Sequence, residues 1–100
     1  MPLFVIVGHD GPDGLAKRPA VRPRHLEHLR PVSRAGKVVV AGPLFADDGK
    51  TPRGSLIVLE AASLEEARAL AARDPYVVEG VFARHEVHPF TRVFPEPQES

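Results

Sequence analysis

Apolar residues along this chain occur in short runs, and the spacing within each run predicts the element that contains it. The segments LFVIVG (residues 3–8) and SLIVLEA (55–61) are apolar at both odd and even positions, which is typical of strands covered on both faces. KVVVAGPLF (37–45) predicts another strand, interrupted near its end by Gly42-Pro43. Residues 81–94 alternate between apolar and polar, which indicates a strand with one more polar face, and Pro89 restricts that strand to a sheet edge.

Two further segments show helical spacing. From about residues 19–22 to residue 35, Leu26, Leu29 and Val32 form one apolar stripe, and Pro31 is expected to kink or end this helix. Ser63-Leu64-Glu65-Glu66 matches a capping box before a second helix, whose inward positions are 67, 70 and 71. The polar, glycine- and proline-containing segments 9–18 and 46–54 predict loops.

The predicted order of elements is β-α-β-β-α-β, which is the ferredoxin-like arrangement of the α+β class. The first and third strands, which lack polar alternation, take the central positions in that topology. Two helices cover only one face of the sheet, so an apolar second face predicts a homodimer packed sheet against sheet. We expect one domain over residues 1–94 and a flexible tail over residues 95–100.

The composition limits the classes of function. Thirteen basic residues balance thirteen acidic ones, so the chain lacks the basic face expected of sequence-independent nucleic-acid binding. No apolar run approaches the roughly 18 residues of a membrane span, no signal-peptide pattern follows Met1, and cysteine is absent. We therefore expect a cytoplasmic protein without disulfides or thiolate metal sites, and without nucleic acid or membrane as a partner.

Two ionisable residues interrupt the inward faces of the predicted helices. His25 shares a face with Leu29 and Val32, and Asp74 continues the inward series of the second helix if helical geometry persists that far. Because both helices pack on one sheet face, the carboxylate can hold one imidazole nitrogen and leave the other as a general base. A structural alternative stays open, since Asp74-Pro75 is also a typical N-cap and N1 pair for a short YVVEG helix.

Other patterns give weaker candidates. His25 and His28 have a spacing that could chelate zinc, but no third ligand is apparent. The cluster of Lys17, Arg18, Arg22 and Arg24 is interpreted mainly as a solvated loop that leads into a helix, with room for a small anionic ligand near its end. His9-Asp10 is interpreted as part of a turn. The sequence contains no phosphate-binding glycine loop, nucleophile elbow or dinucleotide fingerprint, and we expect neither a metal nor a cofactor.

Four short motifs occur in the order found in a known family. They are R-P-x-H-L at 22–26, A-G-P-L at 41–44, D-P-Y-V-x-x-G-V at 74–81 and V-x-P-F-x-x-V-F at 87–94. Through these motifs the chain resembles the YciI-like (YCII-related) proteins over roughly residues 2–94. The resemblance implies a dimeric ferredoxin-like α/β barrel, with His25 and Asp74 as a catalytic pair in a pocket beside the dimer interface.

The resemblance also implies the surroundings of that pair. Gly42 and Pro43 are expected in the pocket wall, with Arg22 and Tyr76 as neighbours. The family's closest biochemical association is elimination of hydrogen chloride from chlorinated aromatic compounds, which suggests a cofactor-independent lyase or isomerase acting on a small organic molecule. Pro31 and the short segment 46–54 depart from the family pattern and affect the outer wall of the pocket.

Two other functions fit the same sequence. One is a non-catalytic module that binds a small ligand or a partner protein, in which the contact between His25 and Asp74 is purely structural. The other is an assembly domain in which only the dimer matters. A ligand-sized concave pocket at the His–Asp pair would count against the assembly domain.

Overall fold

The computed structural model describes residues 1–96, and its elements follow the predicted ferredoxin-like order with one additional short helix. Four strands form an antiparallel sheet, and three helices pack on one of its faces. The elements are β1 (Leu3–Asp10), α1 (Gly14–Arg34), β2 (Val38–Phe45), β3 (Pro52–Glu60), α2 (Leu64–Ala72), α3 (Pro75–Val78) and β4 (Phe82–Phe90). The α+β class and the ferredoxin-like topology are confirmed.

The strand order is β2-β3-β1-β4, which places β1 and β3 in the centre as predicted. Ile6 of β1 lies opposite Ile57 of β3 on one side and Val87 of β4 on the other. β4 is an edge strand, so the position expected for the strand that contains Pro89 is also confirmed. β2 forms the opposite edge.

The core between sheet and helices consists of two adjoining clusters. In the first, buried side chains of β1 and β3, including Phe4 and Leu59, pack against Leu29 of α1 and two alanines of α2. The second contains Val21, Tyr76, Val81 and Phe82 and connects α1 with α3 and the start of β4. This second cluster fixes the position of the chain segments that carry His25 and Asp74.

The predicted loop over residues 9–18 is wrong. β1 extends to Asp10, and α1 begins at Gly14 rather than at residues 19–22. A Cβ atom at residue 14 would lie 2.5 Å from the carbonyl oxygen of Val81, so the absence of a side chain lets the first turn of α1 pack directly on this backbone. The earlier start adds more than a turn to the helix and brings Arg18 onto its inward face.

Pro31 does not end α1, which continues to Arg34. Pro19, Pro23 and Pro31 all lie inside the helix and all are exposed. The carbonyl groups that lose an N–H donor belong to the exposed residues 15, 19 and 27, where water can replace the missing bond. Among the helices of residues 1–96, none has the length and hydrophobicity to cross a membrane.

The other three strands also differ from the prediction. β2 is not interrupted at Gly42-Pro43, since Pro43 stays paired with Ser55 and an edge strand tolerates the missing N–H. β3 begins at Pro52, three residues before the predicted start at Ser55. β4 ends at Phe90 instead of residue 94, because Phe90 pairs with Leu3, the first residue of β1. Of the predicted tail over residues 95–100, the last four lie outside the described residues.

The second face of the sheet carries no helix within residues 1–96. The alternation of side chains places Val5, Leu56, Val58 and Val40 on this face, and Val40 is 54% exposed. At its β4 end the face is polar, since His9 and His88 contact the carboxylate of Glu86 at 2.7 and 3.0 Å. Hydrogen bonds from His88 and His9 lower the pKa of Glu86 to about 2.

Candidate active site

His25 and Asp74 form a buried hydrogen-bonded pair. Nδ1 of His25 lies 2.8 Å from Oδ1 and 2.9 Å from Oδ2 of Asp74. Because an ionised carboxylate can only accept, Nδ1 carries the proton and donates it. The two side chains are remote in sequence but meet because α1 and α3 pack together. His25 is 8% and Asp74 3% exposed, so little water competes for this bond.

Asp74 is held in place by the local structure that follows α2. It is the N-cap of α3, and its Oδ1 accepts from the backbone N–H of Tyr76 at 2.9 Å. Pro75 occupies the first helical position, where its fixed φ favours the helix and its missing N–H removes no helical bond. The predicted cap is therefore confirmed, and the same carboxylate also binds His25.

The ring of Tyr76 fixes the orientation of the imidazole. The rings of His25 and Tyr76 are stacked, with centroids 3.9 Å apart and planes inclined by 6°. Phe82 meets the same tyrosine edge to face at 5.4 Å. Burial raises the pKa of the Tyr76 phenol above its ordinary value, although the charges of Arg18 and Arg22 act against this shift. His25 is thus held by a hydrogen bond at one nitrogen and by stacking on its face.

Arg18 is the second buried charge of the site, and it was predicted to lie in a solvated loop. Its Nε and Nη2 donate to the two carboxylate oxygens of Asp10 at 2.6 and 2.9 Å. Nη2 also donates to the carbonyl of Gly54 at 2.8 Å and to Oγ of Ser55 at 3.4 Å. Burial lowers the pKa of the guanidinium, but the hydrogen bonds and charge of Asp10 outweigh this effect, so the net shift is upward and Arg18 stays charged.

Arg18 and His25 belong to one wall of the site. They are two helical turns apart on α1, and the carbon atom of the guanidinium lies 5.0 Å from the centroid of the Tyr76 ring. The interpretation of His9-Asp10 as part of a turn is also wrong, because both residues belong to β1, and the Asp10 carboxylate pairs with Arg18. A charged donor and an imidazole therefore flank one aromatic ring.

These groups open into a cavity of about 480 Å³ between α1 and the β2–β3 edge of the sheet. Its wall is mostly apolar, with polar groups concentrated near His25 and Arg18. The lining residues are Leu15, Arg18, Pro19, Arg22, His25, Leu26 and Leu29 of α1, Ala41, Gly42, Pro43 and Phe45 of β2, Pro52, Ser55 and Ile57 of β3, and Tyr76 of α3. Both the volume and the lining lie within the range that is typical of small-molecule sites.

The predicted site residues come together in this cavity. Arg22, His25, Gly42, Pro43 and Tyr76 all line it, while Asp74 lies behind His25 and contacts it. Within residues 1–96, every buried side-chain nitrogen or oxygen has a hydrogen-bond partner. Nε2 of His25 has none among these residues, so this nitrogen is not buried. Nε2 is therefore accessible from the cavity and, in the neutral ring, available as a proton acceptor.

Arg18 and Ser55 also line the cavity but were not predicted as site residues. Arg18 could have been found by extending the stripe of His25 and Leu29 backwards through Val21 to residue 18, which shares their helical face. Ser55 had no comparable signal, because one serine at the start of an apolar strand resembles a boundary residue.

The zinc alternative receives no support from the geometry. His28 Nε2 lies 2.9 Å from the carbonyl oxygen of Leu70, so His28 joins α1 to α2 and does not line the cavity. Within the described residues there is no group of three or more histidines and carboxylates arranged to hold a metal ion.

The fold and the site define a ferredoxin-like α+β protein with a histidine–aspartate pair in an apolar, ligand-sized cavity. The model of the YCII-related domain matches residues 2–91, and the chain belongs to this family. It is 42% identical to the protein YciI of Escherichia coli O6:H1 over 92% of this chain and 99% of the relative. An uncharacterised protein of Haemophilus influenzae is 38% identical over 91% of this chain and 98% of the relative.

Solved structures extend the comparison to an enzyme. The 5-chloro-2-hydroxyhydroquinone dehydrochlorinase TftG from Burkholderia phenoliruptrix, in complex with 2,5-dihydroxybenzoquinone, superimposes with a TM-score of 0.78 at 31% identity. The alignment covers 89% of this chain and 93% of that chain. An antibiotic biosynthesis monooxygenase, at 12% identity and a TM-score of 0.55, shares the fold alone over 93% of this chain and 99% of that chain. The family and the dehydrochlorinase together support an enzyme-like role on a small molecule.

Proposed function

We propose that this protein is a cofactor-independent lyase that eliminates a small leaving group, such as chloride, from a hydroxylated ring compound. One observation carries the proposal: a buried imidazole has its Nδ1 bound to Asp74, and its Nε2 is accessible from an apolar cavity. Asp74 selects the tautomer in which Nε2 is basic and stabilises the imidazolium that forms when a proton is taken up. In this proposal His25 is the general base.

For a chlorinated hydroquinone, the elimination consists of proton transfers through His25 followed by departure of chloride. His25 removes the proton of a ring hydroxyl, whose oxygen becomes a carbonyl, and returns that proton to the ring carbon that bears chlorine. Loss of a second hydroxyl proton to His25 then forms the second carbonyl, while the C–Cl bond breaks and chloride leaves with its electron pair. The net change is loss of HCl, so the step needs no external oxidant or reductant.

Arg18 and Ser55 complete the proposed mechanism. The ring oxygen that loses its proton develops negative charge, and a fixed cationic donor in an apolar cavity stabilises such charge more effectively than water does. Arg18 is kept charged and oriented by Asp10, and the hydroxyl of Ser55 lies beside it. We assign these two side chains to the oxyanion.

The relative with a defined activity supports the choice of substrate class. TftG is a dehydrochlorinase of 5-chloro-2-hydroxyhydroquinone, and the present chain has a cavity large enough for one substituted ring.

The alternative of a non-catalytic binding module rests on the second role of Asp74, which caps α3 and would keep His25 in place even without chemistry.

Chloride release from a panel of chlorinated hydroquinones, beginning with 5-chloro-2-hydroxyhydroquinone, tests the proposal. The His25→Gln variant should lose at least about 100-fold in rate, the lower range of general-base contributions. His28→Gln is the matched control, because His28 lies on the same helix and makes a structural hydrogen bond outside the cavity. It should retain the wild-type rate within about twofold, because it removes no group from the cavity.

The binding module makes the opposite prediction. If the wild-type protein binds ring compounds but releases no chloride, or if His25→Gln lowers only the melting temperature, the base role of His25 is wrong. Circular dichroism spectra of both variants identify any loss of rate that comes from unfolding.

A further inference from the structure

The α1 wall of the cavity carries more positive charge than the carboxylates around it neutralise. Arg18 and Arg22 both line the cavity, and among residues 1–96 no aspartate or glutamate does. Arg18 is paired with Asp10, but Arg22 has no ion-pair partner among residues 1–96. Arg24 and Arg30, its neighbours on the same helix, are paired with Glu79 and Glu27. Of the two arginines that line the cavity, Arg22 is therefore the one without a carboxylate partner among the described residues.

Arg22 occupies the outer part of the cavity, one helical turn before His25. It is exposed and also borders the shallow groove formed with Pro23, Glu27 and Arg30. Three residues along α1 correspond to about 4.5 Å, so Arg22 and His25 can contact opposite ends of one small ring compound. The charge of Arg22 also reaches into the site, because it opposes the rise in the pKa of Tyr76 that burial causes.

The adjacent wall strengthens any charge contact made by Arg22. Pro19 and Leu26 flank it on α1, and Phe45 contributes to the β2 side of the cavity. A ligand that fills the cavity displaces water from these apolar surfaces, and the attraction between a guanidinium and an anion grows as the effective dielectric constant falls. Arg also matches a carboxylate with two parallel N–H···O bonds, which a lysine cannot do.

We propose that Arg22 binds an anionic substituent of the substrate, most simply a ring carboxylate, and so makes the site selective for ring acids over neutral ring compounds. This proposal rests on the proposed function, since it takes the cavity beside His25 as the substrate site. Arg22 is assigned to substrate selection and not to the elimination step. The preferred substrate class is a hydroxylated aromatic acid that bears a leaving group.

Binding of two probes separates this role from that of a merely solvated arginine. Titration calorimetry compares 2,5-dihydroxybenzoate with hydroquinone, which lacks the carboxylate. The wild-type protein should bind the acid at least about tenfold more tightly, which one charge-assisted bidentate contact can supply. Arg22→Gln should reduce this preference to about twofold or less, and Arg22→Lys should fall between them because it keeps the charge but loses the planar donor pair.

Arg24→Gln is the matched control. Arg24 lies two residues away on α1 but pairs with Glu79 at 3.3 Å and does not line the cavity, so its replacement should leave the preference for the acid unchanged. The preference of the wild-type protein should also weaken as salt is added, since an exposed charge contact is screened.

The location of the probes is read from the ring-proton NMR signals of His25, assigned with the His25→Gln variant. If hydroquinone shifts these signals but the acid is not preferred, or if Arg22→Gln keeps the preference, the role of Arg22 is wrong and the proposed function stands. If neither probe shifts the His25 signals, the cavity is not the substrate site and both proposals are overturned.

Discussion

Asp74 shows how one carboxylate can serve two structural partners. Its Oδ1 accepts both from Nδ1 of His25 and from the backbone N–H of Tyr76, and Oδ2 makes a second contact with His25. From the sequence, Asp74 is interpreted as a helix cap or as the partner of His25, and the two roles are compatible because a carboxylate has two oxygens. The structure contains both, because the cap geometry at Pro75 points the carboxylate back towards α1. Capping therefore contributes to the rigidity with which the imidazole is held.

Replacing Asp74 tests this double role through stability. Asp74→Ala removes the cap of α3 and the acceptor for the imidazole N–H, so it should lower the free energy of unfolding by about 2–4 kcal/mol. Urea unfolding of the purified variant measures the loss. Asp74→Asn, which keeps one oxygen for the cap, should lose less than the alanine variant.

The control for capping alone is Ser63→Ala in α2. Ser63 Oγ accepts from the backbone N–H of Glu66 at 3.1 Å, and Ser63 does not line the described cavity, so the loss of this cap should cost about 1 kcal/mol. If Asp74→Ala is no less stable than Ser63→Ala, the hydrogen bond to His25 contributes nothing to the free energy of unfolding.

The true start of α1 depends on a tertiary contact, and this contact limited the prediction of the site from sequence. Periodicity and end signals predicted the four strands and two of the helices, and they placed His25 and Asp74 on facing elements. The short helix after Asp74 was predicted only as the structural alternative for Asp74-Pro75. The buried ion pair was missed because Gly11, Pro12 and Gly14 resemble a loop. Gly14 instead permits close packing on Val81, and this tertiary contact, which no local pattern reveals, puts Arg18 on the helix.

The Arg18–Asp10 pair should therefore be important for joining α1 to β1. Both side chains are buried, at 10% and 7% exposure. Arg18→Met leaves the Asp10 carboxylate buried without its partner, which should lower the free energy of unfolding by about 3–5 kcal/mol. The double variant Asp10→Leu/Arg18→Met should recover part of this loss, because it removes the uncompensated charge. Urea unfolding of the single and double variants measures the coupling.

Arg24→Met is the control on the same helix. It breaks the exposed pair with Glu79, so the expected cost is at most about 1 kcal/mol. If Arg18→Met costs no more than Arg24→Met, the buried pair does not hold α1 on the sheet.

The helix-free face of the sheet is the surface through which we expect the predicted homodimer to form. Its apolar part is formed by the central strands together with Val40 and Leu44 of β2, which are 54% and 39% exposed. Apolar surface of this kind is usually covered by a partner, and a second copy of the chain offers the same surface across a two-fold axis. The polar cluster around Glu86 lies on the same face and would restrict the apolar contact to its β2–β3 side.

We predict a dimer packed through this face. A charge placed in the apolar part of the face should dissociate the dimer. Val40→Glu introduces a carboxylate that dimerisation would bury without a partner, a cost of several kcal/mol. Sedimentation equilibrium of the wild-type protein should give the mass of a dimer, and Val40→Glu that of a monomer. The control is Val78→Glu: Val78 is 66% exposed but lies on α3, on the helical side of the sheet, so this variant should remain dimeric. A monomeric wild-type protein, or a dimer that tolerates Val40→Glu but not Val78→Glu, would exclude the sheet face as the interface.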